Sequence, residues 1–294
     1  PALAMPEEAF QMEGVEFHGR LLFLKAGIYY SSHVTTVSST YAREITTPAF
    51  GCGLEGLLRT RAERNELSGI INGVDESWNC AHDPHLAAPF TERSLAGKKV
   101  NAAEVRRAFG LSASRGPLFA VVSRLVHQKG IDLAIQAAEG IVAQGGQLAI
   151  TGQGEPSLEA AVEDLARRHP GQVGVEIGFD EAQARCMFAG SDFLLMPSRF
   201  EPCGLSQMYA QRYGSLPVAH KTGGLSDTIV DNVTGFLFAE MSLTGLMDGV
   251  ARAFGSFGCK RRLADMRRQA MRHPANWLGS SRRYNAVYET LLAT

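Results

Sequence analysis

The chain has 294 residues, 45% hydrophobic and 20% charged, enough apolar material for one large globular domain or two ordinary ones. Twenty-nine basic and thirty acidic side chains leave a formal charge of -1, which excludes a global electrostatic pull toward nucleic acid or an anionic membrane. The five cysteines (Cys52, Cys80, Cys186, Cys203, Cys259) show no zinc-ligand spacing, so no metal site is expected and a reducing, cytoplasmic setting fits.

Pro1-Ala-Leu-Ala-Met-Pro-Glu-Glu has no basic region followed by an apolar core, so it is not read as a signal peptide, nor does it look like a natural start. The apolar stretch 21–30 is broken by Lys25 and falls short of the roughly 20 residues that span a bilayer. Residues 1–115 predict a helix over 17–31, a strand over 34–38, a helix over 39–45, a strand over 68–71 and a helix near 102–109. Two strands do not make a sheet covered on both faces, so this part reads as a fragment of a larger domain or as one that packs on something else.

From Pro117 the pattern changes to short apolar runs alternating with amphipathic segments. Strands are expected at 118–123, 147–151, 173–177, 193–196 and 216–219, with helices near 130–144, 156–168, 181–190, 205–213 and 242–256. This is the pattern of a doubly wound, Rossmann-like α/β domain, placed here at residues 116–275. Glycines at Gly152-Gln-Gly154, Gly178 and Gly223-Gly224 fall where strands end, and ligands of such sheets sit beyond those ends. Residues 278–292 predict a final helix with Tyr284, Val287, Tyr288 and Leu291 on one stripe.

Three segments carry chemistry. In Ser198-Arg-Phe-Glu-Pro-Cys-Gly-Leu-Ser-Gln207, Pro202 and Gly204 force a turn before a helix. The amides of Gly204, Leu205 and Ser206 then face outward at a helix start, where the dipole favours phosphate. Glu201 at the mouth of that turn can bind sugar hydroxyls or stabilise positive charge; alone, it reads equally well as a capping acid, and Cys203 as a small buried filler. In Val122-Ser-Arg-Leu-Val-His-Gln-Lys-Gly130, Arg124 and Lys129 follow a strand and suit a diphosphate, although singly they read as solvated charges. His127 reads as structural. Thr222-Gly-Gly224 lets backbone approach a ligand oxygen closely. No Walker-type G-x-x-x-x-G-K-[ST] is present.

In this order, the three segments resemble the C-terminal domain of bacterial glycogen synthases and plant starch synthases. Further strings extend the resemblance nearly end to end: Phe17-His-Gly-Arg, Phe23-Leu-Lys-Ala-Gly-Ile-Tyr-Tyr, Val37-Ser-Ser-Thr-Tyr-Ala-Arg-Glu-Ile45, Gly53-Leu-Glu-Gly-Leu57, Asn72-Gly-Val-Asp75, residues 117–130, Pro170-Gly-Gln-Val, Phe200-Glu-Pro-Cys-Gly-Leu205 and Lys221-Thr-Gly-Gly-Leu-Ser-Asp. The resemblance implies the two-domain GT-B fold, with a complete C-terminal domain, an incomplete acceptor-side domain at 1–115, and residues 276–294 packing back on it.

By the same resemblance, Arg124 and Lys129 hold the ADP diphosphate, and Glu201 faces the transferred glucose with Cys203 beside it. Gly204, Leu205 and Ser206 complete that pocket, Gly178 and Phe179 border the adenine, and Asn72 and Thr222 line the cleft. The implied reaction moves glucose from ADP-glucose to the non-reducing end of an α-1,4-glucan such as glycogen, with retention and with no cofactor or metal. No residue stands out as a nucleophile for double displacement. Many relatives carry a second acid eight positions after the Glu201 equivalent; here that position is Tyr209, and Trp78 comes about one residue early. The family's first Lys-x-Gly-Gly-Leu loop and its catalytic histidine are absent, so the chain is expected to begin inside the acceptor domain and to have little activity alone. The competing readings are a non-catalytic nucleotide- or glucan-binding module, and another GT-B transferase or a phosphorylase with a different donor.

Overall fold

The structure, a computed structural model, describes residues 7–273 and 276–293. The reading of the first residues as neither leader nor natural start falls on 1–6 and so lies outside them.

The sequence predicts one helix over 17–31, but the chain turns back on itself first. His18 (φ 51°) and Gly19 (φ 74°) both adopt left-handed conformations, the geometry of a two-residue hairpin turn between β1 (Glu16–Phe17) and β2 (Arg20–Leu21). The helix, α1, is confined to Phe23–Tyr30. Its last carbonyls are gathered by Arg61, which donates to Ile28 O at 2.7 Å and Tyr29 O at 2.7 Å. Strand β3 (Val34–Thr36) ends before Ser38, because the Ser38 hydroxyl caps α2 (Ser39–Glu44) by accepting from Tyr41 N at 2.9 Å. Helix α3 (Glu55–Glu63), not anticipated, precedes β4 (Leu67–Gly69), which pairs parallel with β3. A small core of Ile28, Ile45, Leu54 and Leu58 holds these pieces together.

Helix α4 (Ala96–Ala108) starts six residues earlier than expected. Its buried Lys98 donates to Ala189 O at 2.9 Å and Tyr213 O at 2.8 Å. The alternating units follow: β5 (Leu118–Val122), α5 (Ile131–Ala143), β6 (Gln147–Gly152), α6 (Pro156–Arg168), β7 (Val173–Ile177), α7 (Glu181–Gly190), β8 (Phe193–Met196), α8 (Ser206–Arg212), β9 (Leu216–His220), α9 (Gly223–Thr228), β10 (Phe236–Phe238), α10 (Leu243–Gly258) and α11 (Lys260–Arg272). Six strands form one parallel sheet in the order β10-β9-β8-β5-β6-β7. Every residue of β5, β6 and β8 is buried, as expected of strands covered on both faces.

One face packs against α5, α6, α10 and α11 through residues such as Ile141, Leu165, Val250 and Met266. The other packs against α4, α7, α8 and α9, and takes Val74, Trp78, Cys80 and Phe90 from the connecting segment. In this half, two further elements escaped the sequence reading. Strand β10 has three residues, and α11 is so rich in charge that Leu263, Met266 and Ala270 are its only fully buried residues.

Helix α12 (Trp277–Leu292) crosses back to the first half: Ser280 Oγ donates to Ile71 O at 2.6 Å and Arg283 to Gly69 O at 2.7 Å. Its expected apolar stripe is not a buried face. Tyr288 is exposed and Tyr284 and Val287 are only half-buried, because the helix touches β4 through its first turns.

Candidate functional site at the switch of strand order

The order of the large sheet reverses between β5 and β8, and the crevice beyond their carboxyl ends is where such sheets receive ligands. Two loops meet there. Gly130 (φ 66°) brings the loop after β5 so close to the loop after β8 that a Cβ at this position would lie 1.9 Å from Pro197 O. This approach seats Lys129 Nζ 2.5 Å from Glu201 Oε2, which also accepts from Ser198 Oγ at 3.1 Å. Glu201 is 5% exposed, so its carboxylate is a buried charge neutralised by one ammonium. Arg199, two residues before it in sequence, points elsewhere and is spent on a bidentate pair with Asp132 at 2.9 and 2.7 Å. Arg124 stays at the strand end, linked by Gln128 Oε1 at 3.3 Å to Phe200 O, which accepts from Gln128 Nε2 at 3.2 Å.

The turn leading into α8 has the form read from the sequence. Gly204 is left-handed at φ 66°, Leu205 is the N-cap, and Ser206 opens the helix. Cys203 is buried, and burial pushes its thiol up despite an opposing hydrogen bond from the Asn72 backbone, which brings Asn72 to this turn.

The glycines of Thr222-Gly-Gly224 are expected to let backbone approach a ligand oxygen closely, but here their amides and Cα positions meet protein. A Cβ at Gly223 would lie 2.0 Å from Glu201 O, and one at Gly224 2.0 Å from Cys203 O, so these glycines admit the neighbouring protein backbone. Gly224 N donates to Glu201 O at 2.9 Å. The Thr222 hydroxyl and Gly223 N both donate to Glu44 Oε1, at 3.0 and 2.9 Å, which ties the first half to the second. Thr222 is thereby buried against Glu44, beside the Glu201 turn.

That cavity, about 290 Å³, opens at the ends of β5 and β6. Three of the residues singled out from the sequence line it: Arg124, Phe179 and Ser206. Phe179 is 76% exposed, a large ring left facing solvent at the rim. Gly178 (φ 141°) turns the chain to present it, in backbone conformation that side chains rarely adopt, and donates to Gly152 O at 2.9 Å. A larger hollow of about 560 Å³ lies between residues 76–81 and Arg212, Arg272 and His273. It holds none of the candidate residues and lies away from the strand ends.

The sequence reading missed how the cavity floor is built. Trp78 stacks on Tyr209, ring centroids 3.7 Å apart and 11° from parallel, with the Arg185 guanidinium 4.0 Å from the indole centroid. Arg185 also donates to Asp83 Oδ2 at 3.0 Å and Ser77 O at 2.9 Å, and Tyr213 OH donates to the same Asp83 oxygen. The unusual positions of Trp78 and Tyr209 were a signal in the sequence; nothing marked Arg185.

Among the described residues no group of histidine, cysteine or acidic side chains could hold a metal ion, and no helix is long and apolar enough to cross a membrane.

Comparison with known proteins agrees with this fold. Residues 1–60 match the family described as starch synthase catalytic domain, and residues 104–266 match glycosyl transferases group 1. The chain is 59% identical over 293 residues to a glycogen synthase of Pseudomonas fluorescens strain Pf-5, covering all of this chain and 56% of that protein. It is 57% identical over 291 residues to glycogen synthase 1 of Bradyrhizobium diazoefficiens, covering 99% of this chain and 63% of that protein. The catalytic domain of starch synthase IV from Arabidopsis thaliana, solved bound to ADP and acarbose, superposes with a TM-score of 0.92 at 33% identity, over 98% of this chain and 62% of that one. The chain thus spans less than two thirds of the length of each of these relatives. The fold is α/β of the GT-B type, and the chain belongs to the group 1 glycosyl transferases.

Proposed function

We propose that the chain forms the donor side of a glycogen (starch) synthase, which transfers glucose from ADP-glucose to the non-reducing end of an α-1,4-glucan with retention. The observation that carries this reading is that Arg124 and Ser206, which opens the helix after the turn at Gly204, line one cavity at the switch of strand order, while the loops after β5 and β8 meet in the Lys129–Glu201 pair. In this reading Arg124 and Lys129 grip the diphosphate of ADP and absorb its charge as the sugar–phosphate bond breaks. The amides of Gly204, Leu205 and Ser206 add donors at a helix start. Gly178 and Phe179 border the adenine, Glu201 and Cys203 face the glucose, and Asn72 stands on the acceptor side. Thr222 lines the same cleft beside the Glu201 turn.

The Lys129–Glu201 contact gives this reading a physical content. An ammonium already neutralised by a buried carboxylate attracts a diphosphate less strongly than a free one, so Arg124 makes the first strong contact and Lys129 shares its charge between phosphate and Glu201. Relatedness supports the donor: the curated relatives at 57–59% identity are glycogen synthases, and the starch synthase IV structure holds ADP and acarbose.

Displacement of a fluorescent ADP analogue from the chain tests the reading. ADP-glucose is expected to displace it at lower concentration than UDP-glucose or GDP-mannose, and Lys129→Ala to weaken the analogue by about tenfold or more. Stronger displacement by UDP-glucose or GDP-mannose overturns the donor, and full affinity in Lys129→Ala overturns the site.

A further inference from the structure

The cavity that takes Arg124 at one end and Phe179 at its rim has a single acidic side chain among its lining residues, Glu181. A nucleoside diphosphate lying between a cation and an aromatic ring places its ribose in the middle, and ribose brings a vicinal pair of hydroxyls. Polar groups taken out of water need partners, and most of those in this cavity are committed elsewhere. Ser206 Oγ donates to Val122 O at 3.5 Å, Thr151 Oγ1 to Gln183 Oε1 at 3.1 Å, and Ser123 Oγ to Arg124 O at 3.2 Å. The Tyr209 ring is held flat against Trp78.

Glu181 differs from these three hydroxyls in carrying a charge and two acceptor oxygens. Arg185 Nε and Nη2 donate to its Oε1, at 3.0 and 2.8 Å, whereas among the described residues no hydrogen bond falls on its Oε2. Its side chain is 57% exposed, so the second oxygen is open to solvent. Arg185 is itself locked by Asp83 and Ser77, and a carboxylate held by one oxygen is thereby oriented with the other available. In doubly wound nucleotide-binding sheets an acidic side chain commonly accepts from ribose hydroxyls. Burial first, then the charge of Glu181, raises the pKa of Tyr209, which keeps the phenol a neutral neighbour of the carboxylate.

We infer that Glu181 accepts the ribose hydroxyls of the bound nucleotide and makes this site selective for ribonucleotides, with Arg185 as the residue that positions it. The inference rests on the donor-site reading above and adds to it the recognition of the sugar of the nucleotide.

The test compares ADP, 2′-deoxy-ADP and 3′-deoxy-ADP by calorimetric titration of the 294-residue chain and of its Glu181→Gln variant. The unaltered chain is expected to bind at least one deoxy analogue about tenfold more weakly than ADP, as loss of a hydrogen bond to a charged group implies. In Glu181→Gln that ratio falls to about twofold or less, while 2′-deoxy-ADP and 3′-deoxy-ADP bind much as they do to the unaltered chain. Because the readout is a ratio within one protein, partial unfolding of the variant does not change it. Equal affinity of the unaltered chain for all three nucleotides, or a ratio unchanged in Glu181→Gln, overturns the inference and leaves ADP binding standing. Failure of the unaltered chain to bind ADP overturns the donor-site reading, and this inference with it.

Discussion

Replacing Lys129 by methionine removes the ammonium that sits 2.5 Å from Glu201 Oε2 and leaves Ser198 Oγ, at 3.1 Å, as the remaining side-chain donor. The Glu201 side chain is 6% exposed and that of Lys129 17%, so the carboxylate suffers more from losing its partner than the ammonium does. Breaking a buried pair costs about 3–5 kcal/mol, and the partial access of Lys129 to water places this one at the lower end, about 3 kcal/mol. Glu201→Gln leaves a lysine whose head can reach solvent, at a cost of about 1 kcal/mol. The double variant buries no charge and is expected to lose about 1.5 kcal/mol, which makes the coupling about 2.5 kcal/mol, far above the ~0.5 kcal/mol scatter of independent sites. Urea unfolding of the four proteins measures it. Costs that add within that scatter would refute the claim that these two residues neutralise each other in a desolvated crevice.

Three other outcomes follow from particular contacts. Burial alone would raise the Asp227 carboxyl, but hydrogen bonds from Thr40 and Ser38 outweigh it and hold the group below the usual carboxylate range. The stability this contact lends to the packing of α2 on α9 is therefore complete above the unfolded value of about pH 4 and lost as pH falls through the lower folded value. Asp227→Asn should flatten the acid limb of a thermal-unfolding profile, and an unchanged limb would contradict the assignment. Gly224→Ala puts a methyl 2.0 Å from Cys203 O, so it should displace the Glu201–Ser206 turn and abolish ADP binding in a titration; unaltered binding would show the turn to be irrelevant. Timed alkylation followed by mass spectrometry should label exposed Cys52 and Cys259 first, with Cys203 and Cys80 last, since burial raises both thiols, Cys80 to about 11. Early labelling of Cys203 would mean the turn opens readily.

The large sheet was legible because its strands are buried on both faces and read as unbroken apolar runs, Leu118–Val122 being the plainest. The loops between them were legible because glycine and proline mark them. What escaped had no such periodicity. His18 and Gly19 look like part of a helix until their positive φ turns the chain, and α11 hides its three fully buried residues among basic ones. Side-chain partners were less accessible still. Arg124 and Lys129 could be named from their place after β5, but the pairing of Lys129 with Glu201 depends on Gly130 touching Pro197, a contact between loops 67 residues apart. The same holds for residues 74–101, a polar stretch that nevertheless sends Val74, Trp78 and Phe90 into the core beneath the large sheet.

A crystal structure of the chain with ADP bound tests the central claim most directly. The diphosphate is expected within hydrogen-bonding distance of Arg124 and Lys129, beside the amides of Gly204 to Ser206, with the adenine against Phe179. Nucleotide found in the larger hollow beside Arg212 and Arg272, or a diphosphate that touches neither Arg124 nor Lys129, would contradict it.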